Sequence, residues 1–302
     1  MSSESLIMGV LNVAVALFLA PLFEGIMRKL KAAIHSRKGP PITQPYLDIM
    51  KLLVKEDFRT ASGVLYGALP ALALASVLVL SLLTPMFGEP PFGFAGDVIV
   101  LIYVATMMAV FIMLNAYASG SPYAAVGGAR EMMMVLAVEP ILAIGLIVGV
   151  LKSGSLAVGD IMIWNATHGP AISMGLAGIT LFLALQAQVG KLPFDIPEAD
   201  QEIMGGPFIE QSGPRLALFK WAFMSRQLVM AFLLVQIFAP WPVLGNPAAN
   251  LVIALAKVLV LLVLVTLVDV VNPRLRIDQA MIYFTRVVFV ALGALAVAVI
   301  GR

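Results

Sequence analysis

Apolar runs of about 20 residues alternate with short polar breaks along the whole chain, and each run is long enough to cross a bilayer as a helix. The pattern predicts helices at about 6–28, 64–84, 98–117, 131–151, 171–189, 216–238, 250–271 and 279–300. Pro85, Pro90 and Pro91 break the chain after the second run; Pro240, Pro242 and Pro247 break it after the sixth, where Trp241 is placed to anchor an interface. Backbone polar groups in lipid must be satisfied within each span, so the expected fold is an all-α, polytopic bundle of about eight transmembrane helices. The alternation of a membrane barrel is not seen. No repeat, soluble domain or low-complexity linker interrupts the pattern, so a single membrane domain over 1–302 is expected, with loops at about 29–63, 118–130, 190–215 and 272–278. Within the first loop Leu47, Met50 and Val54 recur at helical spacing with Asp48, Lys51 and Lys55 on other faces. This predicts an amphipathic helix, set against the membrane surface or a partner, after a rigid Gly39-Pro40-Pro41 elbow.

Composition sharpens this picture. The chain is 61% hydrophobic and 12% charged, against roughly 25% charged in soluble domains. The first apolar run lacks a basic start and a clear small-residue cleavage site, so it reads as a retained helix and not a signal peptide. The net charge of +2 says little, but its distribution orients the bundle. Of 19 Lys and Arg residues, 16 fall near the odd-numbered loops, among them Arg28, Lys29, Lys31, Arg37, Lys38, Lys51, Lys55, Arg59, Arg130, Lys191, Arg274 and Arg276. The positive-inside rule then places those loops in the cytoplasm and both termini outside a cell membrane. There is no cysteine, and His35 and His168 are the only imidazoles. Thiolate metal sites and iron–sulfur clusters are excluded from this chain, and no cofactor of its own is expected. No phosphate loop, catalytic triad or metal motif appears.

The chemistry concentrates in two places. Residues 190–215 hold five carboxylates, Asp195, Glu198, Asp200, Glu202 and Glu210, with four prolines and the bases Lys191 and Arg215. Charge beside a bilayer core is costly and usually has a task. These acids could attract cations, relay protons or grip a partner, and spacing alone does not separate the three. Gly205, Gly206 and Gly213 would let the loop bend. The fourth helix carries Glu131 after Arg130, and Glu139 eight residues later, next to Pro140. The eight steps leave both carboxylates on one side, about 12 Å apart along the axis. Glu139 lies inside an apolar run and is a candidate for ion transport, against a packing role paired with Arg130 or a neighbouring helix. Glu24 and Asp269, near helix ends, are further candidates for which solvation accounts at least as well; Asp97 and Asp160 read as solvated, His168 as ordinary surface, and Lys257, inside the seventh helix, as a base that could neutralise a buried acid the sequence does not name. Met132, Met133 and Met134 read as adaptable packing.

At these residues a family appears. GKLPFDIPEADQEIMGGPFIEQSG resembles the PFD-x-PEA signature of the subunit 1/H family of respiratory complex I, which includes the matching subunit of membrane-bound group 4 nickel–iron (NiFe) hydrogenases. RKGPPITQPYLDIMKLLVKED (37–57), GARE (128–131) and NPRLRIDQAM (272–281) resemble the other loop motifs in the same order, so the resemblance covers essentially the whole chain.

The resemblance implies an eight-helix subunit joining a soluble electron-transfer arm to ion-translocating membrane subunits. It implies ion-coupling roles for Glu131, Glu139, Asp195, Glu198, Asp200, Glu202 and Glu210. Partner docking is expected through Arg37, Lys38, Lys51, Lys55, Glu56, Asp57, Arg274, Arg276 and Asp278. Complex I members usually carry an acid and an arginine before PFD; here Gln186, Gln188, Gly190 and Lys191 stand there, a form that resembles the hydrogenase branch. The expected function is therefore a membrane anchor and coupling subunit of a NiFe hydrogenase-type complex. Its expected partners are hydrogenase large and small subunits, antiporter-like membrane subunits, the lipid bilayer and, indirectly, ferredoxin. The NiFe centre and iron–sulfur clusters would sit in the partner subunits. The equivalent subunit of a sulfane reductase or of a quinone-reducing complex I-like enzyme is the alternative, and a stand-alone transporter is disfavoured by the lack of repeat symmetry.

Overall fold

A computed structural model describes residues 3–58, 63–243 and 247–301. Arg59 and Arg302 lie outside the described residues. The described chain is helical throughout its regular structure, as the periodicity requires. In order the helices are α1 (Ser3–Phe18), α2 (Ala20–Ile34), α3 (Gln44–Val54), α4 (Val64–Leu83), α5 (Asp97–Ala118), α6 (Pro122–Ser153), α7 (Val158–His168), α8 (Ile172–Gln188), α9 (Asp200–Ile203), α10 (Gly213–Phe238), α11 (Pro247–Val271) and α12 (Ile277–Ile300). Among the described residues seven helical segments are long and apolar enough to span a membrane, α1 and α2 together forming the first, Ser5–Ile34. The expected fifth span forms as α8, shorter at 17 residues, or about 26 Å of helix, just within the range that crosses a hydrocarbon core.

The centre of the bundle is α10, which touches α1, α2, α3, α4, α7, α8 and α11. Its polar side chains point inward and satisfy backbone groups that other helices leave free. Pro21 has no N–H to give the carbonyl of Leu17; the Trp221 indole donates to that oxygen at 2.9 Å. Ser225 donates to Ala16 O at 2.8 Å, and the Tyr46 hydroxyl of α3 donates to Phe18 O. The break between α1 and α2 is thus a satisfied kink, not a frayed end. The amphipathic helix forms as expected, lying over α10 and α2 at the level of this kink.

Three expectations change. The fourth span begins at Pro122, well before residue 131, with Gly127 and Gly128 inside it as contact surfaces: a Cβ at Gly127 would meet Pro207 and Gly206, and one at Gly128 would meet Ala116. An extra helix, α7, occupies the loop that was to hold His168 as irregular chain. Trp241 does not merely face an interface; its indole donates to Asn165 O at 3.0 Å and ties the segment after α10 to α7.

The approach of α2 to the strand of chain before α3 depends on Gly25, where an added Cβ would collide with the Ile42 carbonyl. Gly25→Ala is expected to destabilise the purified protein by about 1–3 kcal/mol, seen as a lower midpoint of thermal unfolding in detergent. Gly293→Ala, which meets nothing within 4 Å, is the control and should leave the midpoint unchanged or slightly raised.

Candidate functional site

The acidic loop between α8 and α10 is the place where the bundle's charges meet. Each part of it is held by a different element. Lys191 donates to both oxygens of Glu24 on α2 at 3.0 Å, and Arg28 donates to the same carboxylate at 3.1 Å. The Leu192 N–H donates to Asp269 of α11 at 3.2 Å, and Lys31 holds the other oxygen of Asp269 at 2.7 Å. These charges line a cavity of about 240 Å³ between α2 and α11. Next, the Leu275 N–H donates to Pro193 O at 3.0 Å, and Arg274 donates to Asp195 at 2.7 Å. Arg130 of α6 donates to Glu202 at 2.7 Å. Asn115 of α5 donates to Pro207 O at 2.9 Å and accepts from Gln211 at 2.6 Å. At the far end Arg215 pairs with Asp57 at 3.1 Å. Apolar contact adds to this: Phe194 packs on Phe284 and Tyr283 with ring centroids 4.6 and 5.3 Å apart.

Inside this frame the chain is bent hard. Ala199 (φ 34°) and Met204 (φ 55°) adopt left-handed backbone on either side of α9, a conformation that costs a non-glycine residue about 1 kcal/mol or more. The short turn therefore persists only because its surroundings hold it, Arg130–Glu202 among them.

The acids do not share one environment. Glu198 is pushed up to about 8, first by burial and then by the neighbouring charges of Asp195 and Asp200, with Lys191 opposing. Burial also raises Asp195, against the pull of Arg274. Glu202 is held below the usual carboxylate range by its hydrogen bond from Arg130. Glu198 is thus mostly protonated at neutral pH while Glu202 is ionised.

Beneath the loop, the half-buried Glu131 and Glu139 of α6 and the buried Arg226 of α10 form a triad in which the guanidinium lies within electrostatic reach of both carboxylates. They share a cavity of about 20 Å³ with Gln188. Glu131 is also within reach of Glu198, so the loop and the membrane interior are electrostatically continuous.

The structure brings together Asp195, Glu198 and Asp200 with Glu131, and Glu139 with Arg226. Glu202 stands slightly apart on Arg130. Glu210 is at the other end of the loop, where its main-chain carbonyl accepts from Tyr66. Of the residues expected to dock a partner, Arg37, Lys38, Lys51, Lys55, Glu56, Asp57, Arg276 and Asp278 are exposed, Asp57 also pairing with Arg215, whereas Arg274 is taken up by an ion pair with Asp195.

Several sequence expectations are corrected. Glu24 and Asp269 are not solvated; both are 7% exposed and paired. Asp97 is fully buried and accepts from the Val158 N–H at 2.7 Å. Arg130 pairs with the loop and not with Glu139. Lys257, which the sequence left open to pairing with a buried acid, donates to Ala239 O and Pro240 O, the carbonyls just past the end of α10. Arg226 was missed as a partner, although an arginine in mid-span was itself a signal. Among the described residues no three His, Asp or Glu side chains are grouped to hold a metal.

The chain matches the family model described as NADH dehydrogenase over residues 6–300. It is 38% identical over 267 residues to hydrogenase-4 component C of Escherichia coli K12, covering 84% of each chain. It is 34% identical over 275 residues to formate hydrogenlyase subunit 4 of the same organism, covering 88% of this chain and 90% of that one. A chain in the structure of the membrane-bound sulfane sulfur reductase, an archaeal respiratory membrane complex, superposes with a TM-score of 0.88 at 28% identity, covering 98% of this chain and 99% of that chain.

The state of Glu198 has a thermodynamic consequence. Its folded pKa, about 8, exceeds the ordinary value of 4.5. The folded state therefore binds more protons than the unfolded state between these limits, and the loop loses stability as pH rises through that window. Hydrogen exchange of residues 195–206 is expected to quicken from about pH 5 to 8 beyond its intrinsic pH dependence, and Glu198→Gln is expected to abolish that excess. An identical excess in the variant would show that another group is responsible.

Proposed function

The chain belongs to the NADH dehydrogenase subunit 1/H family, and on that premise we propose that it is the anchoring and coupling subunit of a membrane-bound NiFe hydrogenase-type complex. The observation that carries the proposal is the convergence of charges from nearly every loop-side element on residues 191–215, directly above the Glu131–Arg226–Glu139 triad. Such an arrangement is of little use to a passive anchor. It suits a subunit in which an event at the loop must be felt inside the bundle.

In this reading the odd-numbered loops face the cytoplasm, both termini lie outside, and the exposed bases of the first loop with Arg276 hold a soluble arm. That arm contains the hydrogenase large and small subunits, with the NiFe centre and the iron–sulfur clusters. Ferredoxin supplies electrons to it, and proton reduction to hydrogen takes place there. This chain contributes the carboxylates. A change in the charge of Asp195, Glu198 or Asp200 alters the field at Glu131, and the triad passes it to antiporter-like neighbours as proton or sodium movement. One unit of pKa change at any of these groups corresponds to about 1.4 kcal/mol, enough to shift a balanced equilibrium tenfold. The likeness to a sulfane sulfur reductase chain favours a second reading, in which the same membrane subunit serves a nickel-free arm.

Two measurements test this. The intact complex, purified through this chain in mild detergent, is expected to contain about one nickel per complex; no nickel with the arm still bound would favour the sulfane-reducing reading. Glu139→Gln is expected to stop or uncouple ion translocation in proteoliposomes while hydrogen chemistry by the detached arm stays intact. Unchanged pumping would remove Glu139 from the pathway.

A further inference from the structure

The interior below the triad is divided. On the loop side lies the cavity of about 20 Å³ lined by Glu131, Glu139, Arg226 and Gln188, with Ala187 and apolar residues of α6. This is space enough for the centre of one water molecule, which needs two to four polar partners. The partners are present: Glu139 Oε2, Arg226 Nε and Gln188 Nε2 are buried and hydrogen-bond to no protein group. Gln188 and Arg226 are themselves only 7% and 4% exposed. Buried polar atoms are nearly always satisfied, so three that share one cavity call for a ligand that both donates and accepts.

Gln188 also borders a second space on its far side. That cavity, about 10 Å³, is walled by Leu142, Leu146, Leu181, Leu185, Leu233 and Phe238 among others. Apolar spaces of this kind stay dry. Close packing seals the region: Gly145 allows Leu181 so near to α6 that an added Cβ would come within 2.7 Å of it.

We propose that Gln188 positions a bound water molecule between Glu139 and Arg226 and is the last polar group of a hydrated half-path that ends at a leucine barrier. The water joins the acids of α6 into one proton-conducting unit. The barrier prevents that unit from leaking across the bundle, so a proton reaching Glu139 must leave sideways or return. Gln188 is a positioning residue: its uncharged amide binds water without adding a third carboxylate to a space that Arg226 already balances. The functional part rests on the ion-coupling reading above; the hydration site does not.

The test is single-particle imaging of the intact complex at a resolution that shows ordered waters, on wild type, Gln188→Leu and the amide-retaining Gln188→Asn. The expected result is one water density within hydrogen-bond distance of Gln188, Glu139 and Arg226 in the wild type, lost in Gln188→Leu with the helices in place, and retained in Gln188→Asn. A wild-type cavity without density, water that persists in Gln188→Leu, or density that continues past Gln188 among the leucines would each overturn it. Ion translocation is measured in the same preparations. Loss of pumping in Gln188→Leu with pumping kept in Gln188→Asn supports the positioning role. Water without any effect on pumping would leave the site standing and overturn its role in coupling.

Discussion

A charge enclosed in an apolar bundle must find its opposite, bind a proton or unfold its surroundings, and most of this structure follows from that constraint. Glu24, Asp269, Arg215 and Arg226 are each no more than 7% exposed. Glu24 and Asp269 are satisfied by Lys191, Arg28 and Lys31, and Arg215 by Asp57; Arg226 lies within electrostatic reach of the two glutamates of α6. Because the partners belong to different helices, meeting the electrostatic demand of one also fixes the position of the next. The loop between α8 and α10 is consequently as determined as the helices around it, although it contains almost no regular structure.

The same constraint separates tasks that look alike in the sequence. Seven carboxylates share the expectation of ion coupling, yet their surroundings give them distinct states. Glu202 has a guanidinium and little burial, so it stays ionised and acts as a strut. Glu198 has burial and two acidic neighbours, so it holds its proton at neutral pH. Glu210 shares neither environment. A proton-handling group needs a pKa near the working pH, and Glu198 is placed there. The strained turn at Ala199–Met204 begins at the next residue, so the charge state of Glu198 and the geometry of α9 are mechanically adjacent.

How much of this was legible in advance depends on what each residue type reports. Apolar runs report spans, and the helices formed where the runs lay. Charge concentration reported the loop, and the polar–apolar alternation of Leu47, Met50 and Val54 reported α3. Pairwise contact is not encoded in local pattern, so the partners of Glu24, Asp269 and Lys257 were invisible; the two acids were read by their distance from a helix end, which indicates solvation only when no other helix covers them. The early start of α6 was hidden for a related reason. Glycine marks both a break and a close approach, and Gly127 and Gly128 are close approaches only by virtue of Pro207, on a segment 80 residues away, and Ala116. Arg226 was the one omission that the sequence should have corrected, since an arginine in mid-span needs an acid and Glu139 lies in an equally apolar run.

The connection between loop and interior is carried by Glu131. It lies within reach of Glu198 on one side and of Arg226 and Glu139 on the other. A charge appearing on Glu198 therefore acts on Glu131, which shares the field of Arg226 with Glu139. Coupling of this kind asks of α6 a pair of states, and two acids within electrostatic reach of one buried base could supply them, since a charge change at one alters the field at the other. On the proposed reading the subunit needs no moving domain. It needs one proton to change places at the loop, and a bundle rigid enough that the change is not absorbed before it reaches α6.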